Sequence, residues 1–156
     1  MKTLLNVGCG FSNISQIKGF DENVWKEIRL DINEKVNPDI LGSLTDMNLV
    51  DTESIDAIYS AYNLDHIYAH EVPFALSEFY RVLTDDGFAF IRCPDIQTLC
   101  KLVAEDKLLE PLYESPIGTV YTIDMLFGHR QQLKSGNEYM AKKVGFTYSV
   151  LNKSLS

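Results

Sequence analysis

The sequence predicts an α/β fold, a parallel sheet with helices on both faces, and three observations carry that prediction. Short apolar runs recur from Leu4 to Cys93, the last of them nearly continuous, as strands covered on two sides require. Helical periodicity fills the intervals around the later runs, which is the alternation of a βαβ chain. The first run leads directly into Gly8-Cys9-Gly10, a turn at a strand end, where open α/β sheets place their ligands. By itself that turn suits a ligand site and a bare turn equally.

Leu4, Leu5 and Val7 make the first strand. The crossover from Phe11 to Lys26 is long enough to bridge parallel strands but only weakly helical, so a short or irregular helix is expected. Glu27 to Ile32 (EIRLDI) alternates, with Ile28, Leu30 and Ile32 on one face. Asp39-Ile40-Leu41 is a short strand behind Pro38, and Ile55 to Ala61 (IDAIYSA) a longer one. The clearest helix is EVPFALSEFYRVL. There Val72, Leu76, Phe79 and Leu83 form a stripe that Ala75 and Val82 widen. Pro73 sits in the first turn, where its missing N–H is harmless. Asp85-Asp86-Gly87 should end that helix and turn the chain into the strand Phe88 to Cys93 (FAFIRC), closed by Pro94.

Asp95 should cap a second helix, with Ile96, Leu99, Cys100 and Val103 on its inner face. From Leu109 to Gly145, prolines and glycines interrupt every periodicity except a short helical one over Tyr139 to Lys143. An irregular stretch of that length is expected to be a lid or substrate surface, or equally a cover over a sheet edge. Thr147 reads as the cap of a last short helix, with Val150, Leu151 and Leu155 as its apolar face. Phe146, Tyr148 and Val150 also alternate, so one strand is the alternative there.

At 156 residues, 46% hydrophobic and 23% charged, the chain has the size and composition of one globular domain. A formal charge of −8 argues against nucleic acid, which needs clustered Lys and Arg, and Lys142-Lys143 is too small a cluster. No apolar run has the length of a membrane span, and Met1-Lys2-Thr3 lead straight into the first strand, so a cytoplasmic location is expected. Cys9, Cys93 and Cys100 lack metal-ligand spacing and are expected as packed, reduced thiols.

Strands that end at one rim bring their following residues into one crevice. Those residues are Gly8-Cys9-Gly10, Asp31, Thr45-Asp46-Met47 and Tyr62-Asn63-Leu64-Asp65-His66. Three carboxylates and no lysine or arginine are thus expected together. A dinucleotide pyrophosphate is disfavoured, because Asn13 stands where G-x-G-x-x-G needs its third glycine, and there is no P-loop lysine. S-adenosyl-L-methionine has an adenosine without phosphate and a cationic sulfonium, and it suits carboxylates. Asp31 also lies at the spacing of a carboxylate that binds ribose hydroxyls.

LLNVGCG, RLDI, LTDM, NLDHI and FYRVLTDDGFAFIRCPD together resemble the class I S-adenosylmethionine-dependent methyltransferases, and most closely the small ones of the methyltransferase type 11 group. GHR and MAKKVGFT resemble that group less diagnostically. The resemblance implies a Rossmann-like single domain over residues 1–156. Residues 1–95 would form its cofactor-binding core and 109–145 its irregular cover or substrate segment. It implies methyl transfer to an unidentified small molecule, sugar or protein. The alternative is a non-catalytic domain of the same fold that binds a nucleoside or a partner protein.

By the same resemblance, Gly8, Cys9 and Gly10 would lie under the methionine moiety, and Asp31 would bind the ribose with Ile32 beside the adenine. Asp46 would accept from the adenine amine and Met47 would flank the ring, with Tyr62 and Asn63 near the methionine end and the acceptor. Three positions depart from the pattern: Asn6 replaces an acidic residue, Ser12 a third glycine, and Asp65-His66 the usual Glu-His pair.

His66 is the candidate general base, because an imidazole titrates near neutral pH. A backbone-bonded role that fixes its loop is the favoured alternative, since methyl transfer from a sulfonium needs little beyond in-line positioning. Asp65, His129 and Arg130 are candidate acceptor-binding residues, the last two suited to an anionic group or to simple packing. His66 and His70, flanked by Asp65 and Glu71, lack the H-E-x-x-H order, and no metal is expected. Class I methyltransferases close their sheet with a further antiparallel pair, for which no sequence follows Ser156. Five strands are therefore expected, with Phe88–Cys93 on an edge. An apolar edge strand calls for cover, so a shortened chain or a homodimer through that edge is expected.

Overall fold

The apolar runs become strands in the computed structural model, which describes residues 1–156. Five of them, β1 (Lys2–Val7), β2 (Trp25–Asp31), β3 (Ile40–Leu41), β4 (Ile55–Ala61) and β5 (Leu83–Arg92), form one sheet in the order β3-β2-β1-β4-β5. Every neighbouring pair is parallel. With the chain crossing from β3 at one edge back past β2 and β1 to β4, this is the Rossmann-like arrangement, and β5 lies at the edge as expected. A separate antiparallel hairpin pairs β6 (Pro111–Ser115) with β7 (Gly118–Tyr121).

The chain divides into two compact units, one of residues 1–64 and 70–92, the other of residues 65–69 and 93–156. In the first unit, helix α1 (Val72–Val82) buries Val72, Ala75, Phe79 and Val82. Phe79 and Val82 meet Leu5, Val7, Leu30, Ile55 and Ile58 of the sheet in one cluster. Each such side chain, fully buried, contributes about 1.5–3 kcal/mol. The opposite face carries Leu4 and Ala57 under Ile14 and Ile17, with Phe20, Trp25 and Tyr59 around them. The β1–β2 crossover there is a single 3-10 turn, Ile14–Gln16, capped by Asn13. Phe88 packs there against Phe20 and Trp25 and Phe90 stacks on Tyr59, with each still 49% exposed.

Asp85-Asp86-Gly87 does not separate helix from strand. Helix α1 passes straight into β5 at Leu83, and the three residues lie in a bulge inside the strand. Between the pairs Ile55–Leu83 and Ala57–Phe88, β5 advances five residues while β4 advances two. A Cβ at Gly87 would lie 2.9 Å from the Thr84 carbonyl, so the bulge closes on a residue without one.

In the second unit, α2 (Ile96–Ala104) starts at Asp95, whose Oδ1 accepts from the Gln97 N–H at 3.2 Å. Its inner face is Leu99 with half-buried Ile96 and Leu102, while Cys100 and Val103 are exposed, so Cys100 is not a packed thiol. The stretch 109–145 is not irregular. It holds the β6–β7 hairpin, α3 (Thr122–Phe127) and α4 (Arg130–Lys134). Its prolines and glycines punctuate short elements rather than prevent them: Pro116-Ile117 make the hairpin turn and Gly118 takes φ +112°. Tyr139–Lys143 supplies only part of a 3-10 turn, Glu138–Met140. The last helix, α5 (Tyr148–Ser154), is capped by Thr147 as read, but Val150 and Leu155 on its apolar face are exposed. No helix is long and apolar enough to cross a membrane.

Candidate active site

Beyond β1 the chain turns on two left-handed glycines, Gly8 at φ +63° and Gly10 at φ +54°. The Gly8 and Cys9 N–H groups both donate to the Leu30 carbonyl at 2.8 and 3.2 Å, which fastens the turn to the end of β2. A Cβ on Gly8 would overlap the Asn63 side-chain amide. That amide donates to the Val7 carbonyl at 2.7 Å and to the Ala61 carbonyl at 3.1 Å, joining the ends of β1 and β4. Gly10 faces open space, with nothing within 4 Å of where a Cβ would stand. The structure thus gives the two glycines different reasons: close packing at Gly8, an open rim at Gly10.

Asp31 ends β2 and is 9% exposed. Its Oδ2 accepts from the Gly10 N–H and its Oδ1 from the Asn33 N–H, each at 2.8 Å. The carboxylate therefore holds both turns that flank the crevice. Its own carbonyl accepts from the Gly42 N–H at 3.0 Å, which ties in the chain leading to Asp46. Ile32 is half exposed and Asp46 exposed. Met47 lies in the core, 1% exposed, so its backbone rather than its side chain borders the crevice. Tyr62 sits at φ +58°, its N–H donating to the Arg92 carbonyl at 2.7 Å, with the Arg92 guanidinium 5.1 Å from its ring centre. Burial pushes the Cys9 thiol up to about 11, so it is no nucleophile at neutral pH.

The expectation of a rim without basic residues needs correction. Arg29 donates through Nη2 to the Gly10 carbonyl at 2.6 Å and through Nε to the Ser12 carbonyl at 3.2 Å. Nη1 reaches the Asn37 carbonyl at 3.0 Å. Register explains the miss: Arg29 pairs with Asn6 on β1, and Glu27, Arg29 and Asp31 alternate onto one face. Glu27 also answers the Asn6 departure. Asn6, 2% exposed, donates to Glu27 Oε1 at 2.8 Å, and Glu27 Oε2 accepts from the Ile14 N–H at 3.0 Å. A carboxylate of the neighbouring strand thus lies against residue 6 and ties it to the β1–β2 crossover.

Asp65, His66, His129 and Arg130 belong to the second unit. Asp65 is 2% exposed and forms an ion pair with Lys142, a second basic partner that the rim reading omitted. His66 Nδ1 lies 3.0 Å from the Ala141 carbonyl, which accepts, so the ring proton sits on Nδ1 and Nε2 keeps its lone pair. His129 is 5% exposed, and its Nδ1 accepts from the Gln132 N–H at 3.4 Å to cap α4. Arg130 Nε donates to Asp124 Oδ1 at 2.7 Å, and its guanidinium lies 5.1 Å from the Tyr121 ring centre. Burial pushes the Asp124 carboxyl up, but Arg130 and the Tyr121 N–H outweigh it and hold it below the usual range. No group of three or more His, Cys, Asp or Glu side chains is placed to hold a metal ion.

Burial, with the Lys142 charge beside it, holds the His66 imidazole below its ordinary value of 6.5, against the pull of Asp65. The unfolded chain therefore binds that proton more readily than the folded one. Stability contributed by neutral His66 is complete above about pH 6.5 and is lost as pH falls from there toward the folded value. His66→Gln should flatten that acid limb in urea unfolding across a pH series. An unchanged limb would assign the slope to other groups.

Comparison with known proteins agrees with this architecture. A protein from Pyrococcus horikoshii superposes with a TM-score of 0.58 at 14% identity, over 98% of this chain and 70% of its own. The 1,6-didemethyltoxoflavin-N1-methyltransferase of Burkholderia thailandensis, solved with S-adenosylhomocysteine, gives 0.56 at 14% identity, over 98% and 57%. The chain spans 53% to 70% of the lengths of the first three matched structures. No curated protein matches its sequence. A family model described as a methyltransferase domain matches residues 5–91, from within β1 to within β5. The glycine turn, the β2 carboxylate and the sheet order all lie inside that match, and the chain belongs to the methyltransferase-domain family, type 11 group.

Proposed function

We propose that the chain binds S-adenosyl-L-methionine at the rim of its sheet and transfers the methyl group to an acceptor. One observation carries the proposal: the open backbone at Gly10 stands over the Asp31 carboxylate, which is held at 2.8 Å from the Gly10 N–H. The residues fit the cofactor. Gly10 leaves room for close approach of a ligand, Ile32 offers a half-exposed apolar surface for a base, and Asp46 offers an exposed acceptor for an amine. Bound there, the cofactor supplies an electrophilic methyl group on a sulfonium.

The protein's part is to hold and orient. Asp31, Ile32, Asp46 and the backbone of residues 8–10 would fix the nucleoside and methionine ends, with Tyr62 and Asn63 bordering them. Orientation is the main requirement of an in-line methyl transfer. His66, neutral and with Nε2 open as an acceptor, would take a proton where the acceptor has one to lose. Asp65, His129 and Arg130 are already engaged in ion-pair or capping contacts, so any role toward the acceptor is played from those positions. A cytoplasmic setting belongs to the same reading.

Calorimetric titration with S-adenosylhomocysteine tests the site. Asp31→Ala should weaken binding by about 1.5–3 kcal/mol, since it removes charge-assisted hydrogen bonds and frees the turn. Unchanged affinity in a folded Asp31→Ala protein would sink the assignment. The second reading, a binding domain without turnover, is favoured by the prior engagement of the acceptor-side candidates, Asp65 by Lys142 and Arg130 by Asp124. Binding of S-adenosylhomocysteine without its production from S-adenosylmethionine across an acceptor panel would decide for it.

A further inference from the structure

The second unit contains a cavity of about 250 Å³ beside α2, α3 and residues 142–145. Its walls are mostly apolar, formed by Ile96, Leu99, Met125, Leu126, Phe127 and Val144. Asp65 and Lys142 also line it, their side chains 3% and 9% exposed. Asp65 Oδ2 accepts from Lys142, but Oδ1 is buried and has no hydrogen-bond partner. A carboxylate oxygen in apolar surroundings without a donor is a costly vacancy in the hydrogen-bond pattern. The terminal torsion of Asp is soft, so a small turn of the carboxylate offers that oxygen to the cavity.

We propose that this cavity binds a small, mainly apolar phenol, which donates its hydroxyl hydrogen bond to Asp65. Charge excludes an amine, and the need for a donor excludes a carboxylate. The Asp65–Lys142 pair is balanced, and Lys143, which also lines the cavity with its ammonium 4.5 Å from the Tyr68 ring centre, adds one positive charge. An amine ligand would bring a third ammonium to that site, and a carboxylate ligand has no proton for Oδ1. Met125 and Phe127 favour an aromatic ring over an aliphatic one of equal size, through sulfur–ring and ring–ring contacts. The inference rests on the second unit alone and needs no bound cofactor.

Methionine methyl resonances test it in the whole chain, which has four methionines. With 13C-labelled methyl groups, phenol should move the Met125 signal saturably and leave buried Met47 in place. Anisole, which has the same ring without the donor, should bind about tenfold more weakly, the effect of one charge-assisted hydrogen bond. Val144→Phe, placed to fill the cavity, should abolish the Met125 shift. Equal affinity for phenol and anisole, tighter binding of benzylamine or benzoate than of phenol, or no saturable Met125 shift in the wild-type chain would each overturn the proposal. The anisole comparison keeps the test decisive if Val144→Phe fails to fold.

Discussion

Gly8→Val is expected to cost about 3–6 kcal/mol of folding stability and to abolish S-adenosylhomocysteine binding. Three effects add. A β-branched residue at φ +63° is strained by about 1–2 kcal/mol. Its side chain would overlap the Asn63 amide, and overpacking costs about 1–3 kcal/mol. Displacing Asn63 also breaks its bond to the Val7 carbonyl, at about 1 kcal/mol. Gly10→Val is the control, because only the strain remains where the surroundings are open. Urea unfolding of both variants isolates the packing part. If Gly8→Val came within about 1 kcal/mol of Gly10→Val, the Gly8–Asn63 contact would not be the reason for that glycine.

Lys142→Met should be nearly as damaging, for an electrostatic reason. It leaves Asp65, 2% exposed, without a counter-charge, and such half-broken buried pairs cost about 3–5 kcal/mol. The double variant Asp65→Leu/Lys142→Met removes the stranded charge with its partner and should recover most of that loss. Failure of the second substitution to rescue the first in denaturant melts would show that the lysine stem, not its charge, holds the site together.

The sheet was legible because its strands are covered mainly by local, nonspecific burial. Leu4-Leu5, EIRLDI and IDAIYSA announce themselves by residue type, and IDAIYSA matches β4 at both ends. What escaped depends on register and on distant pairing. Asp85-Asp86-Gly87 carries the composition of a turn, and only the pairing with β4 turns it into a bulge. Arg29 reads as an ordinary polar position until β2 is set beside β1, which brings it to the Gly10 carbonyl. Lys142 lies 77 residues from Asp65, and no local pattern links them. Met47 sits in the motif expected to border a ring, but burial claimed its side chain. The turn at Gly8 and Gly10 and the strand-end place of Asp31 were legible because a left-handed turn and a strand-end carboxylate leave marks in the residue types themselves.

Arg81, the arginine of the FYRVL segment, joins two pieces of chain that the sequence keeps apart. It donates to the Met47 and Val50 carbonyls at 2.9 Å each, while Glu78, one turn earlier on α1, accepts from the Met47 N–H at 2.7 Å. Glu78 and Arg81 also bond each other at 2.7 Å, and the guanidinium and that amide hold the Glu78 carboxyl below its usual range. The loop from Asp46 to Thr52 is therefore tied to α1 at Met47, Val50 and Thr52. Its Met47 amide, held by Glu78, should reach exchange with solvent only when that contact with α1 opens. The segment bordering the crevice is thus anchored to the core helix, and a ligand that orders Asp46 would be coupled through Arg81 to the helix behind it.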